Sequence, residues 1–156
     1  RVTAMIEKYF DGVVPVQSDE TQLFADTNWP TICEQASSVS LEAMENFSLQ
    51  EAAESAMGII RKIDLFINET SPFKLAKDET KQAELGTILY QCLEALRIAS
   101  MLLHPVIPAK MDEFHKAIGV ELPSGDIQLL LAWGGMKAGT VVKKVALFPR
   151  VETVAT

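Results

Sequence analysis

The chain has 156 residues, 48% of them hydrophobic, and a formal net charge of −7. That length supports one domain with a packed core, and a mean hydropathy of +0.14 excludes a disordered chain. No run of about 18 uninterrupted apolar residues occurs, so no segment reads as membrane-spanning. The charge is uneven. Residues 1–60 hold 2 basic and 10 acidic side chains, a balance of −8, whereas residues 61–156 hold 12 basic and 11 acidic, a balance of +1. An acidic total argues against a non-specific nucleic-acid binder, whose affinity comes from neutralising phosphates, yet leaves room for a local contact in the second half.

The chain opens on Arg1-Val-Thr-Ala-Met-Ile6, without an initiator methionine, a cap residue or a signal-peptide pattern. Val2, Met5, Ile6 and Phe10 already follow helical spacing, so the segment reads as a helix cut out of something longer, running to about Asp11. Asp11-Gly12 stops it, and Val-Val-Pro15 favours extended backbone. Residues 19–25 are read as a helical turn. Trp29-Pro30 opens a second helix through about Glu45, with Pro tolerated in its first turn. Ser48-Leu-Gln-Glu51 has the spacing of a capping box, in which Ser accepts from the third amide and Glu reaches back. The helix it opens places Leu49, Ala53, Ala56, Ile60, Ile63 and Ile67 on one stripe expected to face a core.

A further helix is expected from about Lys81 to Leu103, about 35 Å long at 1.5 Å per residue. Leu85, Leu89, Cys92, Leu96, Ala99 and Leu103 repeat along it, widened by Ile88, Ala95 and Leu102. His104-Pro105 ends it, and Pro108 starts another through about Ile118, closed by Gly119. Helices of this kind predict an all-α antiparallel bundle. The last third changes character. Gly134-Gly135 and Gly139 punctuate short apolar pieces, and in Thr140–Phe148 strand and extended coil compete without periodicity deciding between them. The organisation read from this is a bundle over residues 1–119 and an irregular or short-strand extension over 120–156, packing back on it within the same domain.

Chemistry-bearing patterns are few. There is no GxxxxGK[ST], GxGxxG after a strand, GxSxG or HExxH, and no metal-spaced Cys/His cluster. No catalytic residue and no cofactor are therefore assigned to the chain itself. Cys33 and Cys92 lack CxxC spacing and read as buried thiols of a reducing compartment rather than a disulfide. His104, at a helix C-terminus, reads as a dipole partner, and His115 as a surface residue of a short amphipathic helix.

That leaves the turn Phe66-Ile-Asn-Glu-Thr-Ser-Pro-Phe-Lys-Leu-Ala-Lys-Asp78. Ser71, before Pro72, is pushed out of the α region and stops the preceding helix, while Pro72 can begin a short helical turn through Lys77. On spacing alone, the simpler reading has Phe73 folded into the core and Lys74 and Lys77 solvated. The alternative is an aromatic face for a base beside two phosphate partners.

At these residues, Asn68-Glu-Thr-Ser-Pro-Phe-Lys-Leu-Ala-Lys77 resembles the segment of methionyl-tRNA synthetases usually written NETxPWxLAK. Three other stretches agree in order and spacing: Arg1-Val-Thr-Ala-Met-Ile-Glu-Lys-Tyr-Phe-Asp-Gly12; Leu93-Glu-Ala-Leu-Arg-Ile-Ala99 through Leu103-His-Pro-Val-Ile-Pro108; and Trp133-Gly-Gly135 through Leu147-Phe-Pro-Arg150. The resemblance covers nearly the whole chain, residues 14–46 matching least. It implies a helix bundle of the class I synthetase anticodon-binding type. Its partners would be tRNA(Met), read at the CAU anticodon, and the enzyme's own catalytic domain, which uses ATP to attach methionine. HIGH-type and KMSKS-type motifs are missing here, so that catalytic half is expected upstream, in a cytoplasmic enzyme. The family's Trp, which stacks on the splayed first anticodon base, is replaced by Phe73, preceded by the matching Pro72. Arg1 matches the arginine of the family's Asn-x-x-x-Arg pair, whose asparagine would lie four positions before it. Asn68, Lys74 and Lys77 complete the expected tRNA-binding set. Two other readings compete. One is a helical protein–protein interaction module without a tRNA role, which the acidic first third suits; the other is the helical domain of a related class I synthetase for another amino acid.

Overall fold

In a computed structural model, the structure describes residues 1–18, 27–121 and 126–149. The turn expected at 19–25 lies outside these residues, as does Arg150. Helix α1 spans Val2–Tyr9, α2 Trp29–Glu45, α3 Leu49–Thr70, α4 Pro72–Leu75, α5 Gln82–Leu103, α6 Pro108–Ala117 and α7 Ile127–Leu131, with a 3-10 turn at Glu79–Lys81. Among the described residues the fold is all-helical, relieved by one antiparallel bridge between Val13 and Val141.

Helices α2 and α3 form an antiparallel hairpin across the three-residue connection 46–48. Ser40 donates to the Ala52 carbonyl (3.2 Å) and Ser55 to that of Ala36 (2.8 Å), so partners descend on one helix as they ascend on the other. Asn28 caps α2 by accepting from the Thr31 amide at 3.1 Å. The capping box expected at Ser48 does not form. The Ser48 amide is already taken by the Ala43 carbonyl at 2.8 Å, which leaves Glu51 nothing to reach back to. The buried stripe of α3 is also rotated from the expected one. Ala52, Ala56, Ile59, Ile63, Phe66 and Ile67 are buried, while Leu49 is exposed and Ala53 and Ile60 only partly covered. Trp29 explains the rotation: its ring meets Phe66 edge-on, centroids 5.3 Å apart, and draws the Phe66 side of the helix inward.

Helix α5 is the axis of the molecule, packed by α1, α2, α3, α4, α6 and α7. It is buried nearly all round, as a helix apolar on every face must be. Gly86 makes room for the segment after α1, since a Cβ there would lie 3.2 Å from Pro15 Cβ. That segment pairs with the late chain. Val14 N–H donates to the Thr140 carbonyl at 2.9 Å, and Val142 N–H to that of Gly12 at 2.7 Å. Pro15 has no N–H to extend the ladder, so a single bridge results and the rest of the described part of Thr140–Phe148 is irregular.

Beyond its first turn α5 carries two charged residues, Glu94 and Arg97, and they hold the tail. The Glu94 carboxylate is fully buried. It accepts from the amides of Gly134 (2.7 Å), Gly135 (2.8 Å) and Met136 (2.9 Å), and from Arg97 Nε and Nη2 at 2.8 and 2.6 Å. Arg97 in turn donates to the carbonyls of Leu130 and Ala132, the latter at 2.7 Å. Both ions are thus paired and their remaining sites filled, the condition under which a buried pair is tolerated. A Cβ on Gly135 would lie 2.6 Å from the guanidinium carbon, and Gly134 has φ +93°. The Trp133-Gly-Gly turn therefore needs both glycines for physical reasons.

His115 corrects another expectation. It is 2% exposed, and its Nε2 lies 2.8 Å from Ser100 Oγ. Ser100 donates its own hydrogen to the Arg97 carbonyl at 2.7 Å, so Nε2 carries the proton and donates to the hydroxyl. Nδ1 then has no partner among the described residues. Burial, reinforced by His104, pushes the His115 pKa below the usual histidine value. His104 ends α5 as expected, with its ring stacked 6.0 Å from that of His115 and its Nε2 2.8 Å from Asp112. Cys33 and Cys92 are both buried free thiols, and burial pushes each up to about 12.

Candidate nucleic-acid interface

The end of α3 is built to turn sharply. Ser71 adopts a left-handed conformation (φ 47°, ψ 57°), its amide bonding the Ile67 carbonyl at 3.0 Å and its hydroxyl that of Asn68 at 3.1 Å. Pro72 excludes the α conformation at Ser71 and supplies the first residue of α4, where its missing N–H costs nothing. The turn continues through Ala76 N–H to the Pro72 carbonyl (3.0 Å) and Lys77 N–H to that of Lys74 (3.2 Å).

Helical spacing sorts the side chains of this turn. Pro72 is buried and Leu75 and Ala76 pack on the core, so Phe73, Lys74 and Lys77 point away from it. Phe73 is 47% exposed, which overturns the core reading of that residue. The far side of the turn is held by Asp78, which accepts from the Thr80 hydroxyl at 2.7 Å and the Thr80 amide at 3.0 Å. Those two bonds hold its carboxyl below the usual carboxylate range.

Asn68 is exposed two residues before the end of α3, and Asp64, four residues earlier, shares its face, about 6 Å further back along the axis. Arg1 Nη1 meets Asp64 Oδ1 at 3.2 Å, both side chains being more than half exposed. The structure thus gathers Pro72, Phe73, Lys74 and Lys77 on one turn, with Asn68 beside it and Arg1 tied one helical turn further along α3. Sequence reading missed Asp64, the residue that brings Arg1 to this face. Only the long-range pairing of the chain reveals it. The arrangement offers an aromatic face, an amide and three cations. Among the described residues, no group of three or more His, Cys, Asp or Glu side chains is placed to hold a metal ion, and no helix is long and apolar enough to cross a membrane.

No protein-family model matches the chain. Among curated proteins, the methionine–tRNA ligase of Clostridium tetani is 34% identical over 156 residues, covering 99% of this chain and 24% of that protein. The methionine–tRNA ligase of Bacillus subtilis is 32% identical over 155 residues, covering 97% of this chain and 23% of its own length. The chain is a homologue of the C-terminal part of methionine–tRNA ligases. It spans about a quarter of the length of the ligases it matches. The fold agrees: apo methionyl-tRNA synthetase of Mycobacterium tuberculosis superposes at a TM-score of 0.85 with 22% identity, over 98% of this chain and 31% of that one. Two stretches far apart in the chain, around Leu93–Ala99 and Trp133–Gly135, meet in the Glu94–Arg97 clasp.

Proposed function

We propose that this chain binds the anticodon of tRNA(Met), with Phe73 as the platform on which the splayed first base of CAU stacks. The observation that carries the reading is the half-exposed Phe73, on the same Pro72 turn as the exposed Lys74 and Lys77, in a homologue of the C-terminal part of methionine–tRNA ligases. Stacking on an aromatic is worth about 1–3 kcal/mol per base, and adjacent ammonium groups supply phosphate contacts without fixing sequence. Asn68 adds a donor and an acceptor for a base edge. Arg1 is held in place by Asp64 yet remains exposed, so exchanging that carboxylate for RNA sacrifices at most about 1 kcal/mol.

Phenylalanine in place of the ligases' tryptophan keeps the stacking face and loses the indole N–H, which shifts recognition towards stacking and away from hydrogen bonding. The binding serves ATP-dependent attachment of methionine to tRNA, the chemistry being performed by a catalytic domain outside these residues. Titration of the chain with an anticodon stem-loop carrying CAU, against one with a changed first base, tests the reading. Tighter binding of CAU, weakening steeply with salt, is expected. Equal affinity for both stem-loops, or none for either, would leave the protein-interaction reading in its place.

A further inference from the structure

The tail after α7 returns along α1. Val142 is buried, and its N–H donates at 2.7 Å to the carbonyl of Gly12, just past the C-terminal end of α1. Lys143 N–H donates to the Ala117 carbonyl of α6 at 2.8 Å, and Val145 packs on the core. The chain is thus fixed on both sides of Lys144, which is itself exposed. The Lys144 ammonium acts at the opposite end of α1. Burial lowers the pKa of the Arg1 amino group, and the Arg1 guanidinium and Lys144 add to the lowering, whereas Asp64 opposes it. Lys144, Arg1 and Asp64 therefore share one patch of surface, two cationic side chains beside one carboxylate.

In a chain with 21 acidic and 14 basic side chains, a local excess of positive charge runs against the composition. Arg61, Lys81 and Lys110 each sit on a glutamate. Arg1 takes Asp64, and among the described residues no carboxylate pairs with Lys144. Holding two like charges together costs free energy, which an anion beside them offsets. Exposed cations hold a lone small anion weakly in water, whereas a nucleic acid releases condensed counterions at every phosphate they neutralise. Through the Arg1–Asp64 pair the patch continues the face that carries Asn68.

We propose that Lys144 is a further tRNA-binding residue, which with Arg1 grips the phosphate backbone of the strand whose base stacks on Phe73. The identity of the RNA rests on the anticodon reading above, and the contact itself on the course of the tail. Such a contact positions the strand and carries no sequence information.

The test titrates the full 156-residue chain with the CAU stem-loop and the stem-loop of changed first base, over a range of salt concentrations. Lys144→Gln should weaken binding of both about three- to tenfold and leave the ratio between them unchanged. It should also lower the slope of log affinity against log salt by about one. Lys144→Arg keeps the charge and should bind within about twofold of the unsubstituted chain. Lys110→Gln removes an equal charge from an exposed ion pair elsewhere and should also stay within about twofold. Equal losses from Lys144→Gln and Lys110→Gln would overturn the inference in favour of general attraction, while a retained preference for CAU would keep the anticodon reading. A loss confined to the CAU stem-loop, or the same loss from Lys144→Arg, would overturn it as well. Equal affinity of the unsubstituted chain for both stem-loops, with affinity and slope still falling in Lys144→Gln alone, would remove the anticodon reading and leave the backbone contact standing. Binding of neither stem-loop would overturn both.

Discussion

The clasp at Glu94–Arg97 and the turn at Phe73 stand at opposite ends of one physical scale. In the clasp, a buried carboxylate and guanidinium have their hydrogen-bonding sites taken by each other, by the backbone of Leu130–Met136 and by the Met101 sulfur, so no capacity is left for a partner. In the turn, backbone hydrogen bonds and a buried Pro72 fix the chain, yet Phe73, Lys74, Lys77 and Asn68 are exposed. The clasp serves the fold; the turn is rigid scaffolding around side chains the fold leaves free. A sequence motif therefore identifies a site only after its hydrogen-bond partners are counted.

Substitution in the clasp should give the largest effect. Arg97→Met leaves Glu94 buried without its cation and should cost about 3–5 kcal/mol of unfolding free energy, read by denaturant titration. A loss below about 1 kcal/mol would mean that water reaches the pair. Gly135→Ala drives a Cβ to 2.6 Å from the guanidinium carbon and should cost about 1–3 kcal/mol, since both neighbours are held and neither can yield. Phe73→Ala should behave in the opposite way. Unfolding free energy should change by no more than about 0.5 kcal/mol, because the side chain is half exposed, while binding of the CAU stem-loop falls by about 1–3 kcal/mol.

A smaller effect follows from His115. The folded state holds it neutral below the usual histidine value, whereas the unfolded chain takes up a proton near pH 6.5. Its contribution is therefore fully present above that pH and is lost as pH falls below it towards the lowered folded value. Urea midpoints should decline between pH 7 and 5, and His115→Gln should flatten that decline. An unchanged slope would place the proton uptake elsewhere. The smallest effect concerns Cys33 and Cys92, pushed to about 12 by burial. Neither should react appreciably with iodoacetamide at pH 7.5 until the chain is unfolded, mass spectrometry giving the readout.

What the sequence made legible was local. Trp29–Glu45 is found where the pattern placed it, because its signals, a proline in the first turn and apolar spacing, act within a few residues. The Phe73 turn is legible for the same reason, since Ser71-Pro72 dictates its own backbone. What stayed hidden depends on residues far apart in the chain. The single bridge in the Val-rich tail is decided by Val13, more than a hundred positions earlier. The burial of His115 depends on Ser100, and the rotated face of α3 on Trp29. Glu94 and Arg97 left one usable sign, two charges past the first turn of a helix whose apolar residues fall on every face, and such a helix has no solvent side on which to place them.

The central claim, that the first anticodon base stacks on Phe73, is tested most directly by a double-substitution cycle. Affinities of the chain and its Phe73→Ala variant would be measured for stem-loops with the CAU anticodon and with a changed first base. If Phe73 is the platform that presents that base, the cost of changing the base shrinks in the variant, and the two changes together weaken binding by less than the sum of the two single losses. Strictly additive losses would show that the base is read elsewhere and contradict the assignment.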